Sequence, residues 1–391
     1  MNQGKYVFSQ IMEHVPYYEF SKCVKRYNGD RKSRKLSCRD QFLAMAFGQL
    51  TYRESLRDIV VCLESQRKKL YHLGFSSPEI KRSTLSDANY SKDWRIYRDL
   101  AKVLIGIAKK LYTNSKELNL DLEGAVYAID SSTIELCLNI FKWARLVKVR
   151  ASVKLHLGLD LQGNIPSFFD ITTGKVHDLN FLDDIILEAG AYYIMDRGYI
   201  DFERLYQIDQ SGAFFVIRAK KNFAFKRLYS NRVDKDTGVR CDQVGRLANT
   251  QMRKKYPDKL RRIKYYDEET DKYFVFLTNN MDIEAEVVAK LYKHRWQIEL
   301  FFKWIKQHLK IKAFWGYSEN AVKTQICIAI CVYLLVAIIK KRLNIDRNLY
   351  EILQILSVSQ LDKTPINTLL SEFDLSLKND QTQNQPSLLD F

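Results

Sequence analysis

The sequence predicts a mixed α/β protein that begins with an all-helical domain. Three observations support this prediction. Up to about residue 118, apolar residues recur at helical spacing, as in residues 39–50 and 91–111. Residues 125–218 then read as strands and helices in the order β-β-β-α-β-α-β. A β-rich insertion over about residues 219–277 interrupts this order before long helices resume.

Basic residues dominate the predicted helical domain. Residues 1–118 contain 23 Lys or Arg and 12 Asp or Glu. This charge favours a polyanionic partner, so we predict a DNA-binding domain, although a solvated basic surface has the same composition. Residues 83–90 predict a polar helix with Ser or Thr as its N-cap. A helix-turn-helix-like reader of DNA and plain helical packing both remain open for this helix.

The central segment has the opposite charge. Residues 119–217 contain 8 basic and 14 acidic side chains, whereas residues 218–272 contain 17 and 8. Residues 125–130 and 191–195 predict short strands that each meet an acid at the end, and residues 178–189 predict a helix. The basic segment contains a predicted hairpin, with strands over 262–266 and 272–278. Two basic regions therefore flank an acidic centre that is suited to gathering cations.

The C-terminal third is predicted to be helical. We expect one long helix over residues 283–310, a buried helix near 324–341 and another from about 348 to 356. The apolar run 326–339 is shorter than the ~18 residues of a membrane-spanning helix, so no membrane partner is predicted. We divide the chain into domains with these bounds: 1–118, 119–345, a C-terminal helical segment 346–378 and a flexible polar tail 379–391.

The residues present exclude several kinds of site. The 7 Cys form no CxxC pair, and no Cys or His cluster has metal-ligand spacing. No GxxxxGK[ST] or GxGxxG motif occurs, so no nucleotide cofactor is expected. The first 15 residues contain no apolar signal-peptide core, which leaves the cytoplasm as the expected compartment.

The helix predicted over residues 283–310 presents a carboxylate between cations. At ~100° per residue, four side chains fall within roughly 60° of one another on one face: Tyr292, Arg295, Glu299 and Lys306. The opposite face is apolar and contains Ile298, Phe301, Phe302, Ile305 and Leu309. Such a stripe by itself is equally typical of a salt-bridged surface.

Two further acids change this interpretation. Asp130 and Asp196 each follow a short apolar run, so we expect them at the ends of buried strands, where an uncompensated charge is costly. A divalent cation shared by several carboxylates removes that cost. Two such ions, about 3.5–4 Å apart, activate a water or a 3′ hydroxyl and stabilise the leaving oxygen. Together with Glu299, these acids predict a Mg²⁺ site for phosphodiester chemistry.

The pattern Tyr292-x2-Arg295-x3-Glu299-x6-Lys306 resembles the C-terminal signature of the insertion-sequence-four family of DDE transposases in all four residues and all three gaps. The segments AIDSS around Asp130 and MDRGY around Asp196 resemble that family's two Asp motifs, in the same order. The resemblance covers roughly residues 120–345. It implies an RNase H-like catalytic domain in which a β-rich insertion precedes the helix that carries the glutamate.

The resemblance implies roles for individual residues. Three carboxylates would be catalytic and would ligate two Mg²⁺ or Mn²⁺ ions: Asp130, Asp196 and Glu299. Three other side chains would contact phosphates at the transposon end: Tyr292, Arg295 and Lys306. Arg197, next to Asp196, either orients this acid or contacts a phosphate. In the family, aromatic residues of the insertion hold a flipped base, but the insertion here contains no Trp, so a Trp stack within it is not available.

The predicted activity is therefore DNA transposition. Such an enzyme binds the ends of its insertion sequence, cleaves them and joins the 3′ ends to target DNA. Two alternatives remain: an RNase H-like DNA nuclease that cuts without joining, and a non-catalytic DNA-binding protein. The expected partners are double-stranded DNA and, by the resemblance, a second copy of the chain, because two ends must be paired. We expect the protein to act in a bacterial cytoplasm, at the nucleoid.

Overall fold

The computed structural model describes residues 4–31, 33, 35–113, 118, 120, 122–147, 150–220, 223–308, 311 and 314–371. The predicted tail, residues 372–378 of the predicted C-terminal segment and Leu309 lie outside these ranges. The chain forms two compact units, one built from Met1–Leu111 with Trp304–Phe391 and the other from Tyr112–Lys303. The domain boundaries that we predict from the sequence, at residues 118 and 345, describe functional domains rather than compact units, and they stay predictions.

In its N-terminal part, the first unit is helical over the described residues. Its helices are α1 Val7–Met12, α2 Tyr17–Arg26, α3 Cys38–Leu50, α4 Leu56–Ser65, α5 Arg82–Ser91 and α6 Arg95–Tyr112. Ser55 caps α4, and two short 3-10 helices, Arg67–Lys69 and Tyr71–Leu73, follow this helix. The polar helix predicted over residues 83–90 is present as α5, but no side chain caps its first turn.

The core of this unit is α11, Glu319–Arg342, and α12, Leu349–Ser359, packs beside it. α11 is apolar on all sides, which is the pattern of a helix surrounded by other helices. It contacts α1, α3, α5 and α12. By length and composition α11 is apolar enough to cross a membrane, but 94% of its most apolar window is buried inside the protein. The prediction of a buried helix here is confirmed.

The second unit contains a mixed sheet. Its described strands are β1 Val126–Leu136, β2 Arg145–Val147, β3 Arg150–Asp160, β4 Ile165–Thr173, β5 Tyr192–Met195, β6 Phe214–Arg218, β7 Phe225–Asn231, β8 Val239–Leu247, β9 Leu260–Asp267 and β10 Lys272–Thr278. Its helices are α7 Phe202–Gln210, α8 Thr250–Lys255, α9 Ala285–His294 and α10 Trp296–His308, the last of which extends into the first unit.

The first five long strands have the order β4-β3-β1-β5-β6. β1, β5 and β6 are parallel, whereas β3 is antiparallel to both β1 and β4. The connection between β5 and β6 is α7, which begins after the capping residue Asp201 and ends before Gly212, whose φ of +72° favours glycine. This arrangement confirms the prediction of an RNase H-like mixed sheet with flanking helices.

The β-rich insertion continues the same sheet. β10 pairs antiparallel with β6, and β9, β8 and β7 follow in that order. The predicted hairpin is formed by β9 and β10. The insertion therefore interrupts the order of elements along the chain, while the hydrogen-bonded ladder of the described strands remains continuous.

Three predicted elements differ from the structure. β1 does not end at Asp130 but extends to Leu136, because residues 131–136 pair with β3 although four of the six are polar. Residues 178–189 form only a 3-10 helix, Asp178–Asp184, which His177 caps. The single helix predicted over residues 283–310 is divided at Arg295 into α9 and α10.

The division of the helix is a local change of hydrogen bonding. The Arg295 N–H donates to the Tyr292 carbonyl over 3.1 Å, and the Ile298 N–H donates to the Arg295 carbonyl over 3.1 Å. Both bonds have the three-residue spacing of a 3-10 turn rather than the four-residue spacing of an α-helix. No Pro or Gly lies at this position, so the break is not visible as a sequence signal.

Candidate active site

Asp130 and Asp196 follow neighbouring positions of two parallel strands. Ile129 of β1 is paired with Met195 of β5, and each acid is the next residue along its strand. The expectation that both acids end their strands is wrong for Asp130, which is the fifth residue of the eleven in β1. This register places Asp130 and Asp196 one residue beyond a paired position of two neighbouring strands.

The carboxylate of Asp196 is held by a turn. Asp196 caps the 3-10 helix Arg197–Tyr199 and accepts a hydrogen bond of 2.7 Å from the Gly198 N–H. A Cβ atom at Gly198 would lie 2.9 Å from Asp196 Oδ1, which is closer than real Cβ contacts. The glycine therefore leaves room for this carboxylate. Arg197 is exposed, and Tyr199 is buried.

Glu299 is connected to Asp130 through Arg295. Arg295 Nη1 lies 3.2 Å from Asp130 Oδ2, and Arg295 Nη2 donates to Glu299 Oε1. The side chain of Arg295 is 14% exposed, that of Asp130 22% and that of Glu299 34%, so the ion pairs are partly shielded from water. One guanidinium thus connects an acid on a strand with an acid on a helix.

The charges of these side chains influence one another. Burial raises the pKa of Asp130 to about 6, and the negative charges of Asp196 and Glu299 add to this effect. Arg295 and the Ser131 N–H act in the opposite direction. Burial alone would lower the pKa of Arg295, but Tyr292, Asp130 and Glu299 together raise it above its usual value. Arg295 is therefore a permanent cation among clustered acids.

The other two residues of the signature, Tyr292 and Lys306, lie on α9 and α10. Tyr292 is half-buried, its ring centroid is 4.7 Å from that of Phe276, and the Arg295 guanidinium lies 5.6 Å from its ring centroid. Burial raises the pKa of its hydroxyl. Lys306 is half-buried on α10, two turns beyond Glu299, and belongs to the first unit.

Sequence reasoning missed a polar network next to Asp130. Asp178 accepts hydrogen bonds from Ser131 Oγ over 2.7 Å and from Lys154 Nζ over 3.0 Å. Lys154 also donates to the Val176 carbonyl over 2.9 Å. Burial alone would raise the pKa of Asp178, but the two hydrogen bonds lower it below its usual value. The network fixes Ser131, whose N–H donates to Asp130 Oδ1 over 2.8 Å.

An aromatic cavity lies between the insertion and the helices α9 and α10. It has a volume of about 260 Å³ and its aromatic lining residues are Tyr265, Phe274, Phe276, Tyr292 and Trp296. Arg295 also lines it, so the cavity adjoins the acids. Trp296 is 56% exposed. The periodicity of the helix does not reveal the cavity, because β9 and β10 supply most of its aromatic side chains.

The acids fit a divalent cation by their chemistry. Carboxylate oxygens are hard ligands, which Mg²⁺ and Mn²⁺ prefer. In the part of the chain that the structure describes, no three His, Cys, Asp or Glu side chains are gathered closely enough to hold a metal ion. Positive charge is supplied instead by the Arg295 guanidinium, which lies between Asp130 and Glu299.

Two family models match the chain. The model described as "Transposase DDE domain" matches residues 122–335, more than half of the chain and all of the candidate site up to Lys306. A model described as a domain of unknown function matches residues 3–76.

Individual proteins are also similar to this chain. A protein of Sinorhizobium fredii named as transposase y4zB is 35% identical over 266 residues, which are 66% of this chain and 71% of that protein. A protein of Geobacillus stearothermophilus named as the transposase of insertion sequence element IS5377 is 28% identical over 292 residues, 73% of this chain and 75% of that protein. A solved structure of the piggyBac transposase synaptic complex with hairpin DNA has a TM-score of 0.47 and 9% identity, and the match covers 100% of this chain and 87% of that chain. By the family model and these relatives, the chain belongs to the DDE transposases and is a DNA transposase.

Proposed function

We propose that this transposase cleaves the ends of its insertion sequence and joins the 3′ ends to target DNA at one site, formed by Asp130, Asp196 and Glu299. The observation that supports this site best is the pair of contacts from Arg295 to Asp130 and Glu299. The register of Ile129 with Met195 supports the inclusion of Asp196. These two observations support one site built from three acids that are distant in sequence.

The three carboxylates would hold two Mg²⁺ or Mn²⁺ ions. When bound, such ions activate the attacking oxygen and stabilise the leaving oxygen of the phosphodiester. The residues of the chain prepare this site. The Gly198 N–H orients Asp196, the Asp178 network fixes the backbone beside Asp130, and Arg295 neutralises Asp130 and Glu299 in the absence of DNA.

Tyr292, Arg295, Lys306 and Arg197 would contact the DNA. A guanidinium or ammonium group binds a phosphate through charge-assisted hydrogen bonds. Once other cations neutralise the acids, Arg295 is free to bind a phosphate of the transposon end. The adjoining aromatic cavity is suited to the stacking of an unpaired base, and Trp296 of α10 offers the indole ring that the insertion lacks.

The active species would be a homodimer on double-stranded DNA, because one reaction requires two transposon ends. We propose that it acts on nucleoid DNA in the bacterial cytoplasm, without a membrane or nucleotide partner. The alternatives of a simple nuclease and a non-catalytic DNA-binding protein are separated by the products of the reaction.

The test is an assay of cleavage and joining with labelled DNA that carries the ends of the element, in the presence of Mg²⁺. We expect the wild type to give cut and joined products. Glu299→Gln should bind the DNA equally well and react at least ~100-fold more slowly, because loss of a metal ligand removes several kcal/mol of charge stabilisation in the transition state. Glu286→Gln is the matched control, since this half-buried residue of α9 pairs with Lys290.

The other outcomes contradict the proposal in different ways. Cutting without joining would assign the protein to the nucleases. DNA binding by the wild type without reaction would assign it to the non-catalytic binding proteins. An unchanged rate in Glu299→Gln would remove Glu299 from the site.

A further inference from the structure

A second cavity lies in the helical unit, where three helices begin. It has a volume of about 650 Å³, within the roughly 300–1,000 Å³ that is typical of ligand sites. The first turns of α4, α5 and α11 line it, together with the segment that precedes α11. The family model over residues 3–76 includes α4 but assigns no function to it.

Two unpaired cations face this cavity. Arg57 of α4 and Arg82 of α5 line it and are exposed. Neither has an acidic partner among the described residues, whereas their neighbours Arg53 and Lys81 are paired with Asp58 and Glu79. Of the described residues that line the cavity, one is acidic, namely Glu54. Two guanidinium groups are therefore available to an anion from outside.

The helix termini add positive potential of their own. The N-terminus of a helix carries about half a positive charge and backbone N–H groups without helical partners. Ser55 and Ser318 cap α4 and α11, but α5 begins without a capping side chain, so the N–H groups of its first turn remain available. Helix termini of this kind bind phosphate groups.

A buried donor also lines the cavity. Trp315 is 7% exposed, and its buried indole N–H has no acceptor among the residues that the structure describes. A buried donor without a partner is costly, and a bound acceptor removes that cost. Tyr90, which also lines the cavity, is 72% exposed and offers a further hydroxyl group at the surface.

We propose that this cavity binds the sugar-phosphate backbone of duplex DNA, with Arg57 and Arg82 contacting two phosphates. The proposal rests on the proposed function, which makes DNA the substrate. Exposure of the two arginines and of Tyr90 favours a long anion that stays at the protein surface over a small anion that is enclosed. The positive balance of residues 1–118 favours the same partner.

The test measures how DNA affinity depends on salt. Fluorescence anisotropy of a labelled duplex with the element's end would be recorded with EDTA at several salt concentrations, for the full-length wild type and for the double variant Arg57→Gln with Arg82→Gln. Each phosphate contact contributes about 0.9 to the slope of log affinity against log salt. The double variant should reduce this slope by about 1.8 and weaken binding roughly tenfold, for the element's end and for a random duplex alike.

Two further variants separate this site from a general loss of charge. Lys25→Gln with Lys102→Gln removes the same charge from exposed residues of α2 and α6 that have no acidic partner in the described chain, and the slope should change by less than half as much. Arg57→Lys with Arg82→Lys keeps the charges and should restore most of the slope. The proposal would be overturned if the variant Lys25→Gln with Lys102→Gln reduced the slope as much as the variant Arg57→Gln with Arg82→Gln.

The result is independent of the catalytic assignment. If the wild type cleaves and joins DNA while the Arg57 and Arg82 variant keeps the wild-type slope, this cavity is not a DNA site and the proposed function stands. If the slope falls as expected while the wild type neither cleaves nor joins, the DNA site stands and the proposed function fails. Binding of pyrophosphate that requires both arginines, with unchanged DNA affinity, would assign the cavity to a small anion and overturn the DNA assignment.

Discussion

Arg295 Nη1 lies 3.2 Å from Asp130 Oδ2, and the same guanidinium donates to Glu299. Arg295, which the sequence resemblance predicts to contact DNA, is thus paired with Asp130 and Glu299, which the same resemblance predicts to bind metal ions. Because clustered acids of this kind need positive charge from one source or another, we expect the guanidinium to compete with a divalent ion for the same carboxylates. Four predictions follow from this contact and from others in the same unit.

The first prediction concerns cation affinity without DNA. Arg295→Gln removes the competing charge, so Mn²⁺ should bind at least about tenfold more tightly, since a unit charge a few Å away corresponds to several kcal/mol at an effective dielectric constant of about 20. Electron paramagnetic resonance of Mn²⁺ measures the free ion directly. Arg295→Lys keeps the charge and should stay near the wild type. An affinity unchanged by Arg295→Gln would show that the guanidinium does not compete.

The second prediction concerns pH. The pKa of Asp130 is raised to about 6 from a usual value of 3.8, so the folded protein favours its protonated form. The contribution of Asp130 to stability is therefore complete below about pH 3.8 and is lost as the pH rises through 6. Asp130→Asn mimics the protonated form, so its Tm relative to the wild type should be higher at pH 7 than at pH 4.5. A difference in Tm that is the same at both pH values would contradict the raised pKa.

The third prediction concerns the support of Asp196. Gly198→Ala places a Cβ 2.9 Å from Asp196 Oδ1, so the carboxylate must move away from the Gly198 N–H. DNA cleavage should fall about 10- to 100-fold, as for other changes that misplace a ligand, while DNA affinity is kept. Gly106→Ala is the control, because a Cβ there meets no atom within 4 Å. Its activity should be unchanged, and equal activity of both variants would remove the proposed role of Gly198.

The fourth prediction concerns a buried ion pair within the insertion. Arg261 of β9 donates from Nε and Nη2 to both oxygens of Asp242 of β8, over 2.9 and 2.8 Å, and the side chains are 5% and 4% exposed. Asp242→Asn leaves a buried arginine unpaired, which costs about 3–5 kcal/mol and should lower Tm by about 6–20 °C.

An exposed ion pair is the control for this effect. Glu203 lies 3.4 Å from Lys255, and both side chains are more than half exposed. Glu203→Gln should therefore shift Tm by less than about 3 °C, as measured by the same thermal scans. A small shift for Asp242→Asn, similar to that of the control, would show that the buried pair is not a major contribution to stability.

Elements with strong local patterns were predictable from the sequence. β5 is fully buried and reads as a short apolar run, and α7 is amphipathic with a capping Asp201 and a terminating Gly212. The hairpin of β9 and β10 is marked by its polar turn. In each case residues a few positions apart determine the element, so periodicity and turn chemistry suffice.

Features that depend on distant partners were not predictable. The mostly polar residues 131–136 are part of β1 because β3 supplies hydrogen-bond partners, and no local pattern contains that information. The break at Arg295 lies where its side chain contacts Asp130, which is far away in sequence. Likewise, the continuity of β6 with β10 depends on a pairing across the whole insertion.

The residues of the candidate site are predictions from the sequence, whereas the contacts between them could not be predicted. The spacing of Tyr292, Arg295, Glu299 and Lys306 identifies a family, and the family indicates which acids belong together. The spacing gives no information about the pairing of Arg295 with those acids. The Asp178 network and the aromatic cavity combine side chains from separate elements, so they become visible only in three dimensions.

The continuous sheet also determines how a transposase without the β-rich insertion would behave. β6 is hydrogen-bonded to β5 on one side and to β10 on the other, and Phe215, Val216 and Ile217 within it are fully buried. A copy of the gene that loses residues 219–277 would leave β6 as an apolar edge strand with unpaired backbone groups, a template for pairing with other chains. We expect such a deletion derivative to aggregate rather than to fold as a smaller enzyme.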